Sequence, residues 1–144
     1  MKFLVVVLLG VAAIQGGNAK QFTRGELARE LLRQGFPRNK LEEWVCLVEA
    51  ESSRRTNIKG PTTDGLTVWG LFQIKDGYWC THGSPGGGCN MRCEDLMTDD
   101  ITAASNCAKH IYNQPAPYGG FTPWEGWRDK CQHALLYLNS CPNK

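Results

Sequence analysis

Apolar residues recur at helical spacing in several stretches of the chain. Leu27, Leu31 and Leu32 follow Thr23-Arg24-Gly25-Glu26, which has the form of a capping box, and Gly35 with Pro37 makes a stop. The pattern predicts a helix over about Arg24 to Gln34. Leu41, Trp44, Val45 and Val48 repeat the period behind Asn39, which has Glu42 three residues on, and predict a second helix ending near Ser52 or Ser53. Ile101, Ala104, Ala108 and Ile111 mark a third, behind the helix-starting charges of Thr98-Asp99-Asp100. Thr122-Pro123-Trp124-Glu125 combines a capping box with proline at the first helical position and predicts a fourth. A last short helix is expected over Gln132 to Leu138.

Between the second and third helices the pattern changes. Gly60, Pro61 and Asp64-Gly65 read as turn residues, and Leu66 to Ile74 is rich in strand formers, which predicts a small hairpin sheet. Tyr78 to Cys93 reads as a cysteine-pinned loop, with Gly86-Gly87-Gly88 as a pliable link. That glycine run lacks a following Lys-Ser/Thr, so it is no phosphate loop. The elements add up to an α+β domain, a helical part beside a small antiparallel sheet, with a cleft between them.

The first residues are of another kind. Lys2 precedes an apolar run from Phe3 to Ile14, then a polar stretch ending in Ala19, the form of a secretory signal peptide. The run is far short of the roughly 20 residues of a membrane span. Residues 1–19 are therefore expected to be removed, leaving a secreted domain over 20–144. The whole chain nets +2, and losing Lys2 leaves +1, too small an excess to argue for nucleic acid or an anionic membrane as partner. Seven cysteines follow Ala19: Cys46, Cys80, Cys89, Cys93, Cys107, Cys131 and Cys141. In an oxidising compartment they read as a disulfide framework, and an odd number leaves one thiol without an internal partner. Cys89-x3-Cys93 with His82 or His110 is a poor match to a zinc site, so no metal is expected.

Candidate chemistry lies on the second helix. Measured from the centre of its apolar stripe, Glu51 falls roughly 70° away, Glu49 about 90°, Glu42 about 110°, and Glu43 nearly opposite. Glu51 is thus the carboxyl closest to the buried face, where desolvation raises a pKa as a general acid requires. The plain alternative is a solvated glutamate at a helix end. Tyr78-Trp79 in the loop and Trp124 in a first helical turn offer rings on which sugars stack, although tryptophan is more often core.

Several segments together resemble C-type lysozymes, in order and at nearly their spacing. They are Trp44-Val45-Cys46, Glu51-Ser52, Asp64-Gly65, Trp69-Gly70-Leu71-Phe72-Gln73-Ile74, Trp79-Cys80, Cys89-x3-Cys93, Asp100-Ile101-Thr102-Ala103, Asn106-Cys107-Ala108-Lys109 and Trp127-Arg128-x2-Cys131. The resemblance implies the α+β lysozyme fold with a sugar-binding cleft. It implies the disulfides Cys46 with Cys131, Cys80 with Cys93, and Cys89 with Cys107. It places Glu51 at the general acid, Trp124 beside it, and Gln73, Tyr78 and Trp79 along the cleft.

The departures from that family bear directly on activity. Its second carboxylate, an Asp after the Asp-Gly turn, is here Val68, which can neither capture an oxocarbenium-like centre nor hold a charge. The Asn positions that commonly support that Asp are here Thr62 and Lys75. Asp64 is a weak stand-in, since four extended residues set it as far as about 13 Å from Val68. The family's first cysteine is Gly25, which orphans Cys141 and removes a closure worth roughly 3 to 5 kcal/mol. Of the carboxylate cluster in the family's calcium-binding branch only Asp100 remains, beside Thr98, Ala103 and Ala104, so no calcium requirement is expected.

These residues lead to three expectations. The first is a secreted protein that binds β-1,4-linked N-acetylhexosamine polymers, bacterial cell-wall peptidoglycan or chitin, through Glu51, Gln73, Tyr78, Trp79 and Trp124, with hydrolysis lost or strongly reduced. The second is a weak muramidase of antibacterial or digestive use, in which Glu51 protonates the leaving group while water attacks. The third is a non-catalytic protein-binding scaffold. The domain is expected to be a monomer without cofactor, a disulfide dimer through Cys141 being the alternative.

Overall fold

The computed structural model describes residues 20–133. The expected leader over 1–19, Cys141, and the last helix beyond His133 lie outside the described residues, while Gln132 and His133 themselves form a turn. Four α-helices are found among the described residues: α1 (Arg24–Arg33), α2 (Leu41–Ser52), α3 (Thr102–Tyr112) and α4 (Glu125–Lys130). A three-stranded antiparallel sheet, β1 (Lys59–Pro61), β2 (Thr67–Trp69) and β3 (Ile74–Lys75), pairs in that order. The chain therefore has the expected α+β arrangement.

Local chemistry sets α1. The Thr23 hydroxyl accepts from the Glu26 N–H at 3.1 Å and the Glu26 carboxylate accepts from the Thr23 N–H at 2.9 Å, which completes the capping box. At the other end the Gly35 N–H bonds to the Leu32 carbonyl and the Phe36 N–H to the Leu31 carbonyl, both at 3.0 Å, a Schellman closure. Two other predicted starts differ. Asn39 caps nothing: it lies in a single 3₁₀ turn over Arg38–Lys40, and α2 begins at Leu41. At α4 the Thr122 hydroxyl turns back to the Gly119 carbonyl at 3.0 Å and Pro123 stays in a turn, so the helix starts only at Glu125 without a side-chain cap.

The sheet also departs from expectation. Gly60 and Pro61 are strand residues of β1, an edge strand, where the missing proline N–H costs no ladder bond. The register sets Val68 opposite Gly60 on one side and Lys75 on the other. The Gly86-Gly87-Gly88 run is not a slack link. A Cβ on Gly88 would stand 2.7 Å from the Trp79 ring, so the run is small because the loop closes tightly over that tryptophan.

The core gathers around Trp44. Its ring meets Phe36 at 4.7 Å, Phe121 at 4.9 Å, Tyr112 at 5.4 Å, Trp124 at 5.5 Å and Phe72 at 6.1 Å between centroids, mostly edge to face. The helical and sheet parts are joined further by the buried Ser52, whose hydroxyl is shared between the Val48 carbonyl at 3.1 Å and the Leu71 carbonyl at 2.7 Å. Disulfides join Cys46 to Cys131, Cys80 to Cys93, and Cys89 to Cys107, the pairing that the resemblance implies.

Glu49 ties α1 to α2. Its carboxylate accepts from Arg24 Nε at 2.8 Å and Nη2 at 2.7 Å and also from Arg54, whose Nε reaches the Phe22 carbonyl at 2.8 Å. Burial pushes the Glu49 carboxyl up, but the bonds and charges of Arg24 and Arg54 outweigh it and hold the group below its ordinary value. A carboxyl depressed in the folded state stabilises above its unfolded pKa, and that stability is lost as pH falls through the depressed value. Glu49→Gln is expected to lower Tm by roughly 5 °C at neutral pH. The gap from wild type should close in thermal melts taken toward acid.

Candidate active site

Glu51 sits in the last turn of α2, half-buried, and lines an open cleft of about 590 Å³ between the helices and the sheet. The opposite wall carries Thr62, Val68, Gln73, Lys75, Tyr78 and Trp79, and the near wall carries Trp124, Glu125 and Arg128. The cleft thus brings together all six cleft residues singled out in the sequence: Glu51, Val68, Gln73, Tyr78, Trp79 and Trp124.

Each is held in a particular way. Trp124 is buried, packs on Trp44, and donates its indole N–H to the Phe72 carbonyl at 2.8 Å, so it shapes the cleft wall beside Glu51. Gln73 has a left-handed backbone, φ 49°, and its side-chain amide donates to the carbonyls of Ile58 at 3.0 Å and Gly70 at 2.9 Å. Both amide hydrogens are spent on the loop, which leaves its side-chain oxygen as the group to offer a ligand. Tyr78 is 59% exposed at the rim, while Trp79 is half-buried, wedged edge-on toward His110.

Burial is the main force on the Glu51 carboxyl and raises its pKa. The Gly126 N–H, donating to Oε2 at 2.8 Å, opposes it, the nearby Glu125 and Asp129 charges add to it, and Arg128 opposes it. Gly126 is what makes this approach possible: a Cβ there would lie 2.7 Å from Oε2 and 3.1 Å from the Ala50 Cβ. With Oε2 engaged by an N–H donor, Oε1 is the oxygen left to carry a proton when the group is neutral.

Across the cleft, Val68 lies in the middle of β2 and is bordered by Gly60, which has no side chain, and by Lys75. No carboxylate occupies this stretch of the wall. Asp64 is at the exposed tip of the turn, held by the Thr62 hydroxyl and by Lys75 Nζ at 3.3 Å, and is not among the cleft-lining residues. Those two partners hold its carboxyl below the ordinary range. Asp100 is engaged otherwise, accepting from the Thr102 N–H at 2.9 Å at the start of α3. Among the described residues no group of three or more His, Cys, Asp or Glu side chains could hold a metal ion.

Sequence reasoning did not assign Glu125, Gly126 or Arg128 to the site. Arg128 lies four residues after Trp124, one turn on, which places both at the same wall and was the available signal.

An α+β domain with a half-buried carboxyl of raised pKa set in an open cleft has the architecture of a glycoside hydrolase. The chain belongs to the C-type lysozyme/alpha-lactalbumin family, whose model matches residues 20–141. It is similar to the lysozyme of Bombyx mori, 46% identical over 142 residues that cover 98% of this chain and 100% of the relative. It is 52% identical to the lysozyme of Galleria mellonella over 119 residues, 81% of this chain and 95% of the relative. With lysozyme 1 of Musca domestica it shares 38% identity over 148 residues, 98% and 99% of the two chains.

Because the folded-state pKa of Glu51 is raised, its contribution to stability is fully present below the unfolded carboxyl pKa and is lost as pH rises through the folded value. Glu51→Gln removes that loss. The variant is expected to gain Tm over wild type as pH rises from about 4 to 8. Gly126→Ala, which pushes the N–H donor away, is expected to raise the Glu51 pKa further, read by carboxyl-carbon NMR titration; an unchanged value would refute the role given to Gly126.

Proposed function

We propose that this lysozyme-like protein is a secreted binder of β-1,4-linked N-acetylhexosamine polymers, peptidoglycan or chitin, in which hydrolysis is lost or strongly reduced. The observation that carries the reading is Val68, flanked by Gly60 and Lys75, at the wall of an otherwise complete cleft. A retaining glycosidase needs two carboxyl groups about 5 to 5.5 Å apart, the second to trap the sugar's oxocarbenium-like centre. An isopropyl group cannot form that bond. Lys75 adds a further obstacle, since an ammonium beside a centre that gains positive charge raises the barrier instead of lowering it.

The remaining groups suit binding. Tyr78 and Trp79 offer ring faces to sugar C–H surfaces, the Gln73 side-chain oxygen accepts, and the Glu51 carboxyl of raised pKa adds a further polar group. Glu51 also favours a second reading, a weak muramidase. Its raised pKa and fixed Oε2 keep a general acid in place, and such an acid alone contributes about 10² to 10⁴-fold to a rate.

The two readings separate in one experiment. Wild type and Glu51→Gln are assayed on peptidoglycan and on a soluble chitin oligomer across pH, and oligomer binding is titrated in parallel. The expected result is saturable binding, weakened about tenfold by Trp79→Ala, with turnover no greater than that of Glu51→Gln. Turnover that Glu51→Gln abolishes would make the protein an enzyme, and absence of binding would leave a protein-binding scaffold. Val68→Asp combined with Lys75→Asn restores the carboxylate and removes the cation that would tie it up, and is expected to gain turnover dependent on Glu51.

A further inference from the structure

The geometry points to Lys75 as the residue that selects the ligand: it reads a carboxylate on the bound sugar, so the cleft prefers acidic glycans to neutral ones. The inference rests on the glycan-binding reading and names the class of glycan.

Three observations carry it. Lys75 stands directly opposite Val68 across an antiparallel pair, and residues so placed share one face of the sheet. Both line the cleft, and Gly60 on the other flank leaves Lys75 as the long side chain of that row. The wall that lacks an anion at Val68 therefore carries a cation in its place.

The second observation is how the cation is held. Lys75 Nζ lies 3.3 Å from Asp64 Oδ2, with side chains 34% and 50% exposed. Exposed pairs of this kind contribute little and exchange readily. Asp64 is anchored independently by the Thr62 hydroxyl, so it stays put when Lys75 changes partner. The apo pair thus positions the ammonium at the cleft edge while leaving it available to a ligand.

The third is the neighbouring ring. Lys75 Nζ lies 5.4 Å from the centre of the exposed Tyr78 ring. A sugar stacked on that ring brings its substituents within reach of the ammonium. The other cation of the cleft, Arg128, sits on the opposite wall, with Nη1 donating to the Thr122 carbonyl and Glu125 nearby, so it does not supply the same contact.

The test compares sugars that differ only in charge. The probe is a tetrasaccharide of alternating N-acetylglucosamine and N-acetylmuramic acid, as the free acid and as its methyl ester, titrated calorimetrically with chitotetraose as the neutral reference. Wild type is expected to bind the free acid about fivefold more tightly than the ester. The preference should vanish in Lys75→Gln, shrink in 0.5 M salt, and grow in Asp64→Asn, where the competing carboxylate is gone. Equal affinity of acid and ester for wild type, or a preference that survives Lys75→Gln, would overturn the inference while leaving glycan binding intact. Failure of all three sugars to bind would overturn both.

Discussion

The packing of Trp44 against a ring from every neighbouring part of the fold is the constraint from which the cleft follows. Its indole stands on α2, and it touches Phe36 after α1, Tyr112 at the end of α3, Phe72 from the loop after β2, and Phe121 and Trp124 ahead of α4. Edge-to-face contacts of this kind fix orientation as well as distance, because each ring presents a positive edge to a negative face. Once Trp44 is seated, Trp124 is seated against it, and its indole N–H donates to the Phe72 carbonyl. That places α4, and with it the Gly126 N–H, at the carboxyl of Glu51.

The chemistry of the site is therefore the chemistry of one side chain in a prepared position facing a wall that carries Val68 and Lys75. Burial raises the pKa of Glu51, and the backbone of α4, through the Gly126 N–H, opposes that shift at Oε2. Facing it, the sheet offers an apolar residue and a cation. Under the proposed reading such a site holds a saccharide and attracts negative charge instead of stabilising positive charge. Membership of the lysozyme family describes the fold and leaves the character of this wall to be read from the residues themselves.

The parts of this arrangement that could be seen in the sequence are those set by neighbours along the chain. The capping box of α1 is complete within four residues, and nothing distant competes for Thr23 or Glu26. Thr122 carries the same signal, yet its hydroxyl found the Gly119 carbonyl, so α4 began later than its pattern. Gly60 and Pro61 looked like turn residues because an edge strand tolerates both. The angular position of Glu51 on its helix was legible, whereas its convergence with Gln73, Tyr78, Trp79 and Trp124 came through the family resemblance. The contact of Lys75 with Asp64, and the approach of Gly126 to Glu51, join residues distant in the chain and left no local trace.

Among the described residues the disulfides lie between Cys46 and Cys131, and the outermost closes a span of 85 residues that contains the whole sheet, the loop with Tyr78 and Trp79, and all of α3 and α4. Helix α1 precedes that ring and carries no cysteine. It is held by side-chain packing of Leu27 and Leu31 and by the arginines around Glu49. Opening of the molecule therefore has a low-energy route that its covalent frame does not resist. The amides of α1 can exchange with solvent through local detachment while those of the cleft stay protected, so the protein can loosen at its beginning without losing the cleft.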